Sequence, residues 1–428
     1  MSRRSSASAT SSCVSTARKP SRCSVLLSIA RMVDMRRVNS VVVRAMRTRS
    51  SGSSGKSPVT TTSRPVRVSV AAYCSGMGGA SAARSRGSGP SYRPASARAP
   101  LALPSRSAID VRGEGDTMAG DQDGRALPSK DEVHGWLTED NNWGRWGADD
   151  EAGAVNLIDA AKRVEALSLA RTGRVVSVSR PYPVEPGPTN PTPAQYFIRR
   201  NRRPYDTGSV VDYYGFVYHG HNHTHLDALS HVWDQRGGWQ GRDPDEFITG
   251  EGVTFGDVTA WETGIITRGV LLDVPRHRGE PYVTVDRPVH GWELEEIAEA
   301  QGVEVRPGDA VLVHSGREAF QAEHPDFFFG NREEPTPGLH ATCMRYIRDT
   351  DVAVLVWDMM DARPNEYELG WAVHPVIYAF GVALVDNALL QPLADACAEE
   401  GRYEFLLVVA PLRVPGGTGS PVNPLAIF

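Results

Sequence analysis

From about residue 130 onward the chain switches repeatedly between two hydrophobic periods, and that switching is the first clue to its fold. Short apolar runs rich in β-branched residues lie at Arg174–Ser179, Val210–Tyr218, Gly269–Pro275, Ala310–His314, Val352–Asp358 and Phe405–Leu412. These predict strands, and the unbroken apolar character of the run from Val352 suits a sheet covered on both faces. Between them, helical spacing covers Lys130–Leu137, Asp159–Ala170, Trp292–Gln301 and Pro337–Arg348. Strands alternating with helices over about 300 residues imply one α/β (α+β) domain.

The chain upstream has neither period. It is rich in Ser, Arg, Ala and Gly, has no tryptophan, and is expected to be disordered up to about Asp116, because it cannot bury enough apolar surface to offset its ordering entropy. The boundaries that follow are 1–117 for this segment and 118–428 for the domain. Charge divides the chain at the same place. Before Asp110 stand 19 of the 46 basic residues and one acid, Asp34, so the remainder holds 27 basic and 50 acidic residues, a balance of −23 behind the overall −5. An Arg- and Ser-rich start resembles a transit peptide, and Arg3-Arg4 a twin-arginine signal, but the longest apolar stretch, near Val25 to Ala30, is too short for either a signal core or a membrane span. A true start at Met118 accounts for the shift; a nucleic-acid-binding arm is the functional alternative.

The acidic remainder argues against nucleic acid or an anionic membrane as partner and leaves a small molecule. Only Cys343 and Cys397 fall in it, without C-x-x-C spacing, which fits a reducing cytoplasm. No G-x-S-x-G elbow, H-E-x-x-H pair, dinucleotide fingerprint or phosphate loop is present.

The candidate chemistry concentrates in His219–His231, where five of the twelve histidines and Asp227 share thirteen positions. Imidazoles and carboxylates are common ligands of zinc and related divalent ions. A flat strand would hold His221 and Asp227 about 20 Å apart, and a regular helix would turn Asp227 about 120° from His221 and His225. The expectation is a bent segment, a strand end curling into a turn, that gathers His221, His225 and Asp227. A helix starting near Leu226 would put His231 on the face of Asp227. Elsewhere, Trp143 and Trp146 could line an apolar pocket or anchor their loop, Asp149–Glu151 reads as helix capping, and Asp273 and His314 end apolar runs where polar residues are commonly structural.

The same stretch resembles the H-x-G-T-H-x-D-x-x-x-H signature of the cyclase family of metal-dependent hydrolases, which includes bacterial kynurenine formamidase and isatin hydrolase. His221, Thr224, His225, Asp227 and His231 match; His223 stands where glycine is usual, and a side chain there could narrow the pocket. The resemblance implies a swivelling β/β/α fold, a homo-oligomer (dimer or tetramer), and a second pair of metal ligands twelve residues apart, which fits His374 and Asp386, with aspartate in place of the usual glutamate. The implied centre holds one or two Zn²⁺ or Mn²⁺ ions on His221, His225, Asp227, His374 and Asp386. There the metal would acidify a water that opens an amide, imide or lactone carbonyl, and His231 would move the proton. Cyclisation with loss of water, and a non-catalytic metal-binding protein, are the alternatives.

Overall fold

The computed structural model describes residues 124–428, so the expectations for 1–117 lie outside the described residues. Its strands, in chain order, are β1 (Val175–Ser177), β2 (Gln195–Arg202), β3 (Gly208–Gly215), β4 (His225–Asp227), β5 (Ile248–Thr249), β6 (Gly252–Val253), β7 (Ile265–Asp273), β8 (Ala310–His314), β9 (Val354–Trp357), β10 (Ala383–Asp386), β11 (Glu404–Val409), β12 (Gly419–Pro421) and β13 (Leu425–Ile427). Nine form one sheet in the order β1-β13-β11-β7-β8-β9-β10-β4-β12, with β2–β3 and β5–β6 as separate hairpins. The expected α/β class holds.

The centre of the sheet is parallel, β7-β8-β9-β10, and its residues are almost all buried, as strands covered on both faces must be. The strands that complete each side pair antiparallel. The helix Gly291–Gln301 lies in the chain between β7 and β8 and buries Leu294, Ile297 and Ala298. Its expected start at Trp292 is off by one residue. Asp159 caps the helix Ala160–Leu167 by accepting from the Lys162 amide.

Several expected elements come out shorter, the following two among them. Pro337–Arg348 is helical only over Cys343–Asp349, because the carbonyls of Gly338 and Leu339 accept the amides of Val289 and Ala362, at 3.0 and 2.9 Å, and the His340 amide goes to the Val289 carbonyl at 2.8 Å, so none of them is free for a helical bond. The strand expected at Val210–Tyr218 is β3, which starts at Gly208 and ends at Gly215; Phe216 to Thr224 is loop. Among the described residues no helix is long and apolar enough to cross a membrane, and Cys343 and Cys397 are buried free thiols.

A buried ion network secures the start of β8. Asp309 is fully buried between Lys162 Nζ and Arg268 Nη1, each at 2.6 Å, and accepts the Arg306 amide at 2.8 Å. Asp309→Ala would leave Arg268 with Glu404 alone, at 2.7 Å, and Lys162 with the more distant Glu165, at 3.7 Å, and should lower unfolding stability by up to about 3–5 kcal/mol. Urea denaturation reads this directly, and a loss below about 1 kcal/mol would show that water reaches the network.

Candidate metal centre

β4 is only three residues long, and its alternation does the first sorting. His225 and Asp227 point to one face while Leu226 enters the core on the other. β10 runs antiparallel beside it with Asp386 opposite His225, which sets the two side chains next to each other. His374 comes from the turn before the helix Val376–Phe380. His225 Nε2 lies 3.4 Å from Asp227 Oδ1 and 3.8 Å from Asp386 Oδ2, and His374 Nε2 lies 3.5 Å from Asp386 Oδ2. All four residues are buried.

Each of three donors is held from behind. His225 Nδ1 is 2.8 Å from the His223 carbonyl, so it carries the proton and leaves Nε2 with a lone pair toward the centre. His374 Nδ1 is 2.5 Å from Asp361 Oδ2, while Asp361 Oδ1 accepts the amides of Val373 and His374. Asp386 Oδ1 accepts the Trp357 indole, which leaves Oδ2 facing both histidines. A carboxylate behind a histidine is the usual support of a metal ligand, since it fixes the ring and raises its basicity.

Asp227 is different. Its carboxylate is fully buried and neither oxygen accepts a hydrogen bond among the described residues; His219 Nδ1 comes within 2.9 Å of Oδ1 but outside hydrogen-bond geometry. Burial would raise its pKa, yet the charge that His231, His225 and His219 carry when protonated holds it below the ordinary carboxylate range. Burial also lowers the His231 pKa to about 4, so at neutral pH the imidazole is uncharged and the carboxylate is an anion. A buried anion without a donor is costly, and a cation is what this one lacks. The ligand-capable atoms of Asp227, His374 and Asp386, and those of His219, His225 and Asp227, lie within 4.8 Å of one another. Nitrogen and oxygen donors without sulfur suit zinc or a harder first-row ion, and the sharing of Asp227 would let the cluster hold one ion or two.

Of the residues singled out in the sequence, His225, Asp227, His374 and Asp386 come together. His221 lines the same cavity, with a buried Nδ1 that lacks a partner and a pKa lowered to about 4 by burial, but it stands outside both compact groups. His231 also lines the cavity, its Nε2 3.8 Å from Asp227 Oδ1 and its ring stacked 3.8 Å from that of His219. No helix starts at Leu226; a tight turn closed by the His231 amide on the Ala228 carbonyl brings His231 back instead. His223 does not narrow the cavity, because its ring stacks on Phe216 and packs beside Tyr182. Trp143 and Trp146 anchor their loop, through a bond to the Tyr378 carbonyl and packing on Trp239. Asp273 and His314 pair with each other at 2.9 Å away from the cavity.

Sequence reasoning missed His219 as a donor and Asp361 as a support. It also missed Asn387, a left-handed residue (φ 55°) that donates to the carbonyls of Gly220 and His223 and accepts from Thr224 Oγ1 through its own carbonyl. The histidine density covered His219, but nothing local marked the other two.

The cavity over the centre has a volume of about 460 Å³, and a second, near Trp292, His290 and His340, is of almost equal size at about 450 Å³. Chemistry and not volume distinguishes them: only the first opens onto His225, His374 and Asp386.

A family model described as "Putative cyclase" matches residues 166–362, which takes in the histidine stretch and Asp361 and stops short of His374 and Asp386. A solved structure described as a novel cyclase is 27% identical, with 71% of this chain and 100% of that chain covered at a TM-score of 0.60. Isatin hydrolase A from Ralstonia solanacearum is similar at 19% identity, 61% and 95% coverage and a TM-score of 0.43. A predicted metal-dependent hydrolase from Bacillus stearothermophilus is similar at 17%, 60% and 98%, and 0.37. No protein of curated function matches the chain. The resemblance read from the sequence is borne out, and the fold is that of the cyclase family.

Two outcomes follow from the geometry. Asp361→Asn keeps the shape but removes the charge behind His374, and should weaken zinc binding about 10–100-fold in a chelator competition; unchanged affinity would release Asp361 from that role. Although burial disfavours its charge, Asp361 and Asp386 raise the metal-free His374 pKa well above the usual imidazole value, so a ligating cation must displace a proton. Zinc titrated at pH 7 in buffers of different ionisation enthalpy should therefore release about one proton from this residue, with affinity rising as pH rises. An affinity independent of pH would remove His374 from the ligand set.

Proposed function

We propose that the chain is a metal-dependent hydrolase of small molecules, adding water across an amide, imide or lactone carbonyl. The observation that carries this is the unpaired, buried Asp227 carboxylate beside His225, His374 and Asp386, under a cavity that a neutral histidine also lines. His225, Asp227, His374 and Asp386 would hold a divalent ion, zinc or manganese by donor type, with His219, grouped with His225 and Asp227, and His221, lining the same cavity, as further donors. When bound, such an ion polarises a carbonyl and acidifies water.

The remaining steps belong to the chain. His231 is uncharged at neutral pH and reaches the cavity, so its imidazole can take the proton of the attacking water as the new carbon–oxygen bond forms. The Asp227 anion, 3.8 Å from His231 Nε2, favours the imidazolium that results. His231 then returns the proton to the departing nitrogen or oxygen as the carbon–nitrogen or carbon–oxygen bond breaks. His219, parallel to His231 and 3.0 Å from Thr418 Oγ1 through Nε2, keeps that ring upright. Gly419 makes room for this arrangement, since a Cβ there would sit 2.4 Å from the Leu226 carbonyl and 3.0 Å from the His219 ring.

The description of the 27% identical relative as a cyclase favours a second reading, ring closure with loss of water. Product mass separates the two, because hydrolysis gains a water and cyclisation loses one. A homo-oligomer remains part of the proposal, with light scattering of the purified chain as its check.

His231→Ala should keep near-normal zinc while turnover falls by about 10²–10⁴-fold. A loss of zinc as large as that of His225→Ala would make His231 a ligand. Unchanged turnover would move the proton-transfer role elsewhere.

A further inference from the structure

The cavity carries a feature that the hydrolytic reading does not use. Alongside the ligand-bearing residues it is lined by Phe329, Met360 and Trp371, and by two arginines, Arg332 and Arg363. Arg363 is partly committed: Nε donates to Thr336 Oγ1 at 3.0 Å and one terminal nitrogen to the carbonyls of Phe329 and Asn331 at 2.9 and 3.1 Å. Its other terminal nitrogen is left over. Those bonds hold the loop that bears Arg332, which is exposed and has no hydrogen-bond or ionic partner among the described residues. The loop is also seated on the centre, since a Cβ at Gly330 would meet the Phe328 ring at 2.4 Å and the His221 ring at 2.9 Å.

The two guanidinium groups feel each other. Burial lowers the Arg363 pKa, Asp361 opposes this, and Arg332 adds to the lowering. Asp361 offsets part of the Arg363 charge, but its oxygens accept from His374 and the backbone around it and form no ion pair with either guanidinium. Two arginines at one cavity, neither in an ion pair among the described residues, are a ready site for an anion.

We propose that the substrate bears a carboxylate, held by Arg332 and the free terminal nitrogen of Arg363, on a flat apolar body that packs against Phe329 and Trp371. The proposal rests on the hydrolytic reading only for where the scissile bond lies. Arginine suits this task, since its planar fork matches a carboxylate, and the flat body is what rings such as Trp371 and Phe329 accommodate.

The probe is benzoate against benzamide, which share shape and differ in charge, titrated calorimetrically into the zinc-loaded full chain. Benzoate should bind at least about tenfold more tightly than benzamide, and Arg332→Gln should weaken benzoate about tenfold while leaving benzamide unchanged, with Arg332→Lys intermediate. Direct ligation of benzoate to zinc would be the same in both proteins and so drops out of the comparison. Equal affinity of the two probes for the unaltered chain, equal benzoate affinity in Arg332→Gln, or an equal loss for both probes would each overturn the proposal. Failure of the hydrolytic reading looks different: no turnover on amides, imides or lactones, with the Arg332-dependent preference for benzoate intact.

Discussion

A carboxylate with no exposed surface and, among the described residues, no donor in bonding geometry on either oxygen is the constraint around which this domain is arranged. Asp227 is ionised at ordinary pH, because its carboxyl group is held below the usual carboxylate range despite its burial. Yet it cannot be stably anionic alone. His225, His374 and Asp386 answer this by presenting, with Asp227, a set of donors for a cation, each turned inward by a bond on its far side. The centre is thus charged and preorganised before any substrate arrives.

The fold supplies what so short a strand could not. β4 has three residues, and the loop before it has no regular hydrogen bonding of its own, so the loop's polar groups must be met from elsewhere. Asn387, next after Asp386, takes the carbonyls of Gly220 and His223, and Arg317 takes that of His221. Thr224 ties the loop to Asn387 through its hydroxyl and receives the Arg180 amide, which explains a threonine within the motif without giving it chemistry. Arg317 is fully buried, its pKa lowered to about 9 by that burial, yet it bonds three separate segments through Asp358, Asn387 and His221.

What the sequence revealed, and what it hid, follows the range of the interactions. Hydrophobic period is local, so the central strands were legible, down to the apolar run that became β9. The density of histidines was local too, and it located His225 and Asp227 without any relative. His374 and Asp386 were legible only through resemblance: one lies in a turn and the other at a strand end, and nothing in either neighbourhood distinguishes a ligand from a buried polar residue. The bent segment was anticipated but its bend was not, since the return of His231 depends on a tight turn and not on a helix. Asp361 was beyond reach, because a carboxylate 13 positions from the histidine it supports acquires that role only in three dimensions.

Charge links these observations into one picture. Without a metal, the proton on His374 is the positive charge between Asp361 and Asp386, and Asp227 has none of its own within bonding geometry. A divalent ion can replace that proton and answer Asp227 at the same time, so loading relieves two electrostatic debts with one cation. Asp361 remains as the counter-charge of His374, which leaves Asp227 and Asp386 to balance the ion. Among the described residues, the arginines at the cavity that stand in no ion pair are then Arg332 and Arg363. Positive potential at a cavity draws an anion inward and orients it before contact, so under the proposed carboxylate site the charges that the donors leave over bear on what the cavity admits.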